Sequence, residues 1–146
     1  MITYHNGDLL ESGCDIICHQ VNLQGVMGGG IARQIADRYP KCEKAYNEVC
    51  LNNKHKLGKV HFHNTDNGLI VANCFSQELN FDTNYYALKK CFKNIKDLAL
   101  SKELKTIGVP FNYGCGIANG DWNKVLSIFK EIFEKEENIE LQIWRL

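Results

Sequence analysis

Proline is nearly missing from this chain, with two in 146 residues, and no repeat or low-complexity tract interrupts it. That excludes a linker between domains. Net charge is missing too, because 17 Lys+Arg balance 17 Asp+Glu. A protein that coats nucleic acid or an anionic membrane carries an electrostatic footprint, and none is present here. No apolar run approaches the roughly 20 residues that span a bilayer, and no secretory signal is recognisable. Seven cysteines do not reverse this picture: the number is odd, and several sit in apolar runs such as CDIIC and VANCF. That is the pattern of reduced thiols rather than of a disulfide framework. The expectation is a soluble, cytoplasmic protein that holds any anion by local geometry. At 45% hydrophobic composition, the length suits one core and is too short for two ordinary domains. Residues 1–146 are therefore expected to form a single domain.

What is present alternates between two hydrophobic periods. ITYH and Cys14–Val21 read as strands. Ile31, Ile35 and Arg38-Tyr39 carry a helical period that Pro40 ends, and a second helix is predicted from Lys41 to about Asn52. Lys59–His63 and Leu69–Phe75 flank the turn-forming Asn64-Thr-Asp-Asn-Gly68 and predict a hairpin. From Tyr85 onward, Leu88, Phe92, Ile95 and Leu98 repeat at helical spacing with lysines opposite. Thr106–Phe111 reads as a strand, and Trp122, Val125, Leu126, Phe129, Ile132 and Phe133 as one helical face with Asp121 as its N-cap. Ile139–Trp144 alternates as a closing strand. The order ββααββαβαβ predicts an α/β fold with helices on both faces of a largely parallel sheet.

Two segments share one context. IICHQVN-LQGVMGGG-IARQIADRY and TIGVPF-NYGCGIANG-DWNKVLSIF each place a glycine loop after a strand and before a helix. A helix N-terminus presents unpaired N–H groups and about half a positive charge, and glycines let backbone N–H groups approach an anion closely. Strand-to-helix loops in such sheets lie at the carboxyl ends of the strands, where ligands bind, so the two loops are expected to share one edge and grip a diphosphate. Neither loop is a P-loop, since no Gly-Lys-Ser/Thr follows, and neither fits the Rossmann fingerprint.

These residues resemble a macrodomain, the ADP-ribose-binding module. The likeness covers nearly the whole chain: Asn6-Gly-Asp-Leu-Leu10, His19-Gln-Val-Asn22 before VMGGGIA, Val109-Pro110 with Gly114-Cys-Gly116, and Gly120-Asp-Trp122. It is similar to the branch that holds ADP-ribose 1''-phosphate phosphatases, terminal ADP-ribose glycohydrolases and antitoxins that remove ADP-ribose from DNA. The resemblance implies a three-layer α/β/α sandwich around a mixed sheet of about six strands. It implies that Asp8, with Leu9 beside it, meets the adenine amino group; that Gly25, Val26, Met27, Gly28, Gly29, Gly30 and Ile31 wrap the distal ribose and a phosphate; and that Gly114, Cys115, Gly116, Ile117 and Ala118 cradle the diphosphate. A carboxylate accepts hydrogen bonds only, which suits Asp8 to an exocyclic amine.

The chain departs from those relatives where they carry chemistry. A lysine follows the strand corresponding to Leu69–Phe75 in the glycohydrolases and antitoxins, but here the sequence is Phe75-Ser-Gln-Glu78. The acid that other branches carry in the second loop falls at Ala118, and an aspartate used after the first glycine run is replaced by Ile31-Ala32-Arg33. His19 remains, at a position that matches a histidine of the phosphatase-like members. A neutral imidazole there is suited to general acid/base work, with Asn22 expected to hold the ribose hydroxyls. Cys115 is read as a small residue whose N–H matters more than its sulfur. His61 and His63 lack further ligands beside them, so no metal is expected, nor any cofactor. The expected partner is ADP-ribose or an ADP-ribosylated molecule, without a membrane or extended nucleic-acid contact, and the chain is expected to act as a monomer. Hydrolysis of an ADP-ribose derivative at the distal ribose is the expected activity, with a non-catalytic reader as the alternative.

Overall fold

The computed structural model describes residues 1–27, 29–52, 56–78, 82–115 and 119–146. Its strands are β1 (Ile2–Asn6), β2 (Ile16–Val21), β3 (Val60–Asn64), β4 (Ile70–Phe75), β5 (Thr106–Pro110) and β6 (Glu140–Arg145). The helices are α1 (Gly30–Arg38), α2 (Pro40–Leu51), α3 (Tyr85–Ser101) and α4 (Trp122–Phe133), and a short 3₁₀ turn spans Leu9–Glu11. The six strands lie in the order β1-β6-β5-β2-β4-β3, every neighbouring pair parallel except β3 against β4. This is the mixed three-layer α/β/α sandwich that the sequence predicts.

The layers follow from side-chain alternation along the central strands. On one face Ile16 and Cys18 of β2, Ala72 and Cys74 of β4, and Ile107 and Val109 of β5 meet α3 and α4. Phe92 of α3 anchors that layer, its ring 4.7 Å from Phe129 and 5.3 Å from Tyr113; burying one such ring contributes about 2–3 kcal/mol. On the other face Val21, Val71 and Phe75 meet Ile35 of α1 and Cys42 and Tyr46 of α2. Because both faces of β2 and β4 are covered, each strand is mostly apolar, interrupted by His19-Gln20 in β2 and Asn73 in β4. No helix among the described residues is long and apolar enough to cross a membrane.

Several strand ends shift by one residue from the sequence expectation, and three further differences stand beside them. Pro40 does not merely stop α1; it occupies the first turn of α2, where its fixed φ suits a helix start and its missing N–H costs nothing. β2 begins at Ile16 rather than Cys14, and Asp15 just before it ties the start of β5, its Oδ2 accepting from the N–H groups of Lys105 (2.9 Å) and Thr106 (3.1 Å). The 3₁₀ turn was not anticipated. Asp8 starts it, Oδ1 accepting from Leu10 N–H at 2.9 Å, and Leu9 is buried with Cys14 and Ile17.

That turn is seated on a glycine. A Cβ on Gly108 of β5 would lie 2.7 Å from Leu9 Cδ1 and 3.0 Å from Cys14 Sγ. Gly108→Ala forces Leu9 from its place, and we expect it to lower the unfolding free energy by about 1–3 kcal/mol. The change would appear as a lower urea midpoint at unchanged slope; an unchanged midpoint would contradict the packing of Leu9 on β5.

Candidate functional site

β2 and β5 are parallel neighbours, in register at Ile16–Ile107 and Ile17–Gly108. From β2 the chain crosses through α1 and α2 toward β3, on one side; from β5 it crosses through α4 to β6, on the other. Such a reversal opens a crevice at the carboxyl ends of the two strands. Both glycine loops leave from that edge.

The first loop is organised by Asn22, which is 9% exposed. Its Oδ1 accepts from Gln24 N–H at 3.0 Å and Val26 N–H at 3.4 Å, and its Nδ2 donates to the Val26 carbonyl at 3.0 Å. The Tyr46 hydroxyl donates to the Asn22 carbonyl and lies 2.9 Å from its Oδ1. Both ends of the Asn22 amide are thus engaged in shaping the loop. Met27 is buried in the core below, whereas Val26 is exposed. Gly30 has φ +55°, and a Cβ there would meet nothing within 4 Å; glycine is required by conformation, and the space beside it is open. Gly29 caps α1 without any side-chain hydrogen bond, so the donors of the first turn are left for an anion. Ile31 is half-buried. Gly28 lies outside the described residues.

The second loop is built differently. Asp121 caps α4, its Oδ1 accepting from Asn123 N–H at 2.9 Å, as the sequence predicts. A carboxylate already occupies that helix start, so any hold on an anion must come from loop backbone. The Gly114 carbonyl accepts from Gly120 N–H at 2.9 Å, and Gly114 has φ +71°. Cys115 donates its thiol to the Tyr113 carbonyl at 3.3 Å. Burial and the nearby Asp121 push that thiol's pKa up, which opposes a thiolate nucleophile. Gly116, Ile117 and Ala118 lie outside the described residues.

His19 is placed where the sequence could not show it. The side chain is 0% exposed, and Nε2–H donates to Asn73 Oδ1 at 2.5 Å. Asn73 Nδ2 in turn donates to His61 Nδ1 at 3.1 Å, and Cys42 of α2 packs against the same amide, 3.6 Å from Nδ2. The three polar residues stand in register across β2, β4 and β3. Burial pulls the His19 pKa down from 6.5 to about 4 against the opposing bond to Asn73. Its Nδ1 has no hydrogen-bond partner among the described residues. An imidazole so enclosed is a neutral brace between strands and does not face water.

Asp8 follows β1, whose end lies beside β6 at Asn6–Arg145, and Phe111 N–H donates to the Trp144 carbonyl at 2.8 Å to join β6 to the end of β5. Along one sheet edge the order is therefore Asp8, second loop, first loop. A cavity of about 490 Å³ lies at the opposite edge, lined by Arg38, Tyr39, Pro40, Lys41, His63 and Asp66 among others. It touches none of the described site residues, and its cations are paired, Lys41 with Asp66 at 3.1 Å and Arg38 with Glu11 at 2.6 Å.

Sequence reading missed the side chains that support the loops: Tyr46, Asn73, Gln20, Ser76, Thr83 and Tyr113. Only Ser76 carried a signal, as one of the two residues, with Gln77, that stand where the relatives carry a lysine.

Known proteins share this fold. The Macro domain family model matches residues 18–129. The ADP-ribose 1''-phosphate phosphatase of Saccharomyces cerevisiae is 39% identical over 112 residues, which is 72% of this chain and 60% of that protein. The DNA ADP-ribosyl glycohydrolase of Mycobacterium tuberculosis is 43% identical over 60 residues, 41% of this chain and 17% of that protein. This chain thus spans less than two thirds of either relative. The solved macrodomain of Mycobacterium tuberculosis DarG superposes with a TM-score of 0.90 at 25% identity, covering 99% of this chain and 97% of that one. Matched by the family model over most of its length and carrying both loops on the expected sheet edge, the chain belongs to the Macro domain family.

Proposed function

We propose that residues 1–146 act as one unit that binds ADP-ribose and hydrolyses an ADP-ribose derivative at the distal ribose, the substrate being ADP-ribose 1''-phosphate or an ADP-ribosyl linkage. One observation carries the reading: the edge order of Asp8, the Gly114 loop and the Gly25–Ile31 loop matches the order of adenine, diphosphate and distal ribose along the ligand. The names of the phosphatase and glycohydrolase relatives support it. In this reading water attacks the phosphorus or the anomeric carbon, and the bond to the leaving oxygen breaks. The uncapped start of α1 faces the charge that develops there, so rate enhancement rests on positioning and backbone dipoles. His19 and Asn22 serve as positioning residues, because the imidazole is sealed from solvent and the amide is spent on its own loop.

The second reading is a reader that binds ADP-ribose without turnover. The observation in its favour is the same burial of His19, which leaves the hydrolytic step without the acid/base that the sequence suggested.

Isothermal titration with ADP-ribose, against AMP and NAD, is expected to give micromolar or tighter binding selective for ADP-ribose; no binding at high ligand concentration would overturn both readings. Asp8→Asn keeps an acceptor for the Leu10 cap and puts an amino group where the second oxygen stood. We expect about tenfold weaker ADP-ribose binding, a loss of ~1.4 kcal/mol, at unchanged melting temperature.

The burial of His19 also makes stability depend on pH. The folded chain holds His19 at about 4, below its value of 6.5 in the unfolded chain. As pH falls from 6.5 the unfolded chain takes up this proton first. The contribution to stability is complete above that range, declines as pH drops toward 4, and amounts to about 3 kcal/mol when fully lost. Urea unfolding of wild type and His19→Gln at about pH 7.5 and about pH 4.5 measures it; an equal pH effect in both would remove His19 as the source. Any turnover should show no inflection from His19 in the neutral range.

A further inference from the structure

Below the second loop runs a line of polar side chains that the proposed function does not use. Tyr113 hydroxyl lies 2.8 Å from Ser76 Oγ, which lies 2.7 Å from Gln20 Oε1. Gln20 Nε2 lies 3.1 Å from Thr83 Oγ1, which lies 2.6 Å from the Gly114 carbonyl. The direction of every bond follows from counting protons. The Gly114 carbonyl only accepts, so the Thr83 proton goes to it. Thr83 must then accept, which turns the amide end of Gln20 toward Thr83 and its carbonyl end toward Ser76. The single Ser76 proton goes to Gln20, and the Tyr113 proton therefore goes to Ser76. The result is a one-way chain from Tyr113 to the Gly114 carbonyl in which Ser76, Gln20 and Thr83 each both accept and donate, and such chains strengthen by mutual polarisation.

Four separate segments meet in it: the end of β2, the residue after β4, the approach to α3 and the turn after β5. Ser76 is 0% exposed and Tyr113 2%, so bulk water is not at hand at that end of the chain, while Gln20 and Thr83 are half-buried. The Ser76 carbonyl also accepts from Asn84 N–H at 2.8 Å, which ties the chain to the cap of α3.

The chain also explains two glycines. A Cβ on Gly114 would lie 2.9 Å from Thr83 Oγ1 and 3.2 Å from Gln20 Oε1, and a Cβ on Gly120 would lie 2.3 Å from the Gly114 carbonyl oxygen. That oxygen accepts from Thr83 and from Gly120 N–H together. Its negative end is held within the protein rather than turned toward an anionic ligand.

We propose that the chain Tyr113–Ser76–Gln20–Thr83 fixes the Gly114 peptide and the closure of the loop onto Gly120, making Thr83 and Gln20 positioning residues that select for a diphosphate-bearing ligand. The selectivity rests on the ADP-ribose reading above; the loop closure does not. Thr83→Val removes the proton at nearly constant shape, and Thr83→Ser keeps it. Titration of both variants with ADP-ribose and AMP should show about tenfold weaker ADP-ribose binding for Thr83→Val, AMP binding within about twofold, and recovery to within about threefold for Thr83→Ser. Equal binding by Thr83→Val, parallel loss for both ligands, or no recovery by Thr83→Ser would overturn the selectivity.

Amide hydrogen exchange at Gly120, measured without ligand, tests the closure itself. It should accelerate about tenfold in Thr83→Val and return in Thr83→Ser; unchanged exchange would overturn the closure. If wild type binds no ADP-ribose, the ligand reading and the selectivity fall together, while Gly120 exchange still decides whether the chain holds the loop. Should Thr83→Val not fold, Gln20→Met breaks the preceding link, and the same two readouts carry the same expectations.

Discussion

The pairing of β2 with β5 is the constraint on which the rest of this molecule depends. These strands are far apart in sequence, yet they lie side by side, and their crossovers depart in opposite directions. Among the described residues their register is confined to Ile16–Ile107 and Ile17–Gly108. Past that short contact the backbone ends need other partners, because buried N–H and C=O groups are rarely left unpaired. Beyond the strand ends the loop backbone finds its own partners: Asn22 and Tyr46 hold the first loop, and Thr83 and Gly120 hold the Gly114 carbonyl of the second. The crevice thus arises from the topology, and the polar groups beside it serve the loop backbone that leaves the two parting strands.

A chain with no net charge must recognise an anion by orientation rather than by accumulation of cations. The two loops divide that task unequally. α1 begins on an uncapped glycine and exposes its dipole, whereas α4 begins on Asp121 and has its dipole already answered by a carboxylate. A phosphate laid against the first loop gains from a helix end; one laid against the second gains only from peptide groups. Control of peptide orientation therefore matters more at the second loop, which is where a buried hydroxyl chain ends on a carbonyl.

Much of this was legible in the sequence. Strand and helix order, the hairpin, the apolar faces of α3 and α4, the Asp121 cap and the placement of both glycine loops are local properties of periodicity and turn chemistry. What was not legible depends on register between distant residues. A histidine at a strand end has the same appearance whether it faces a ligand or a buried amide, and what decides it here is that β4 places Asn73 directly opposite His19. The Asn22 amide invites a role at the ribose until the fold brings Val26 back over it. Leu9 gives no sign that it needs a glycine 99 residues away in sequence, at Gly108, to make room for it.

The burial of His19 changes what kind of catalyst this scaffold suits. An acid/base must exchange protons with substrate or water, and an imidazole held neutral to about pH 4 behind a strand end does neither. The same neutrality benefits a binding site for anions only through rigidity, since it contributes no charge. His19, Asn73 and His61 extend one polar row across three strands under α2, and Cys42 and Tyr46, one turn apart on that helix, link the row to Asn22. The row thereby transmits the sheet's register to the first loop. Hydrolysis on such a frame depends on how well the bound ligand and a water are aligned, and a reader differs from an enzyme here only in whether that water is admitted.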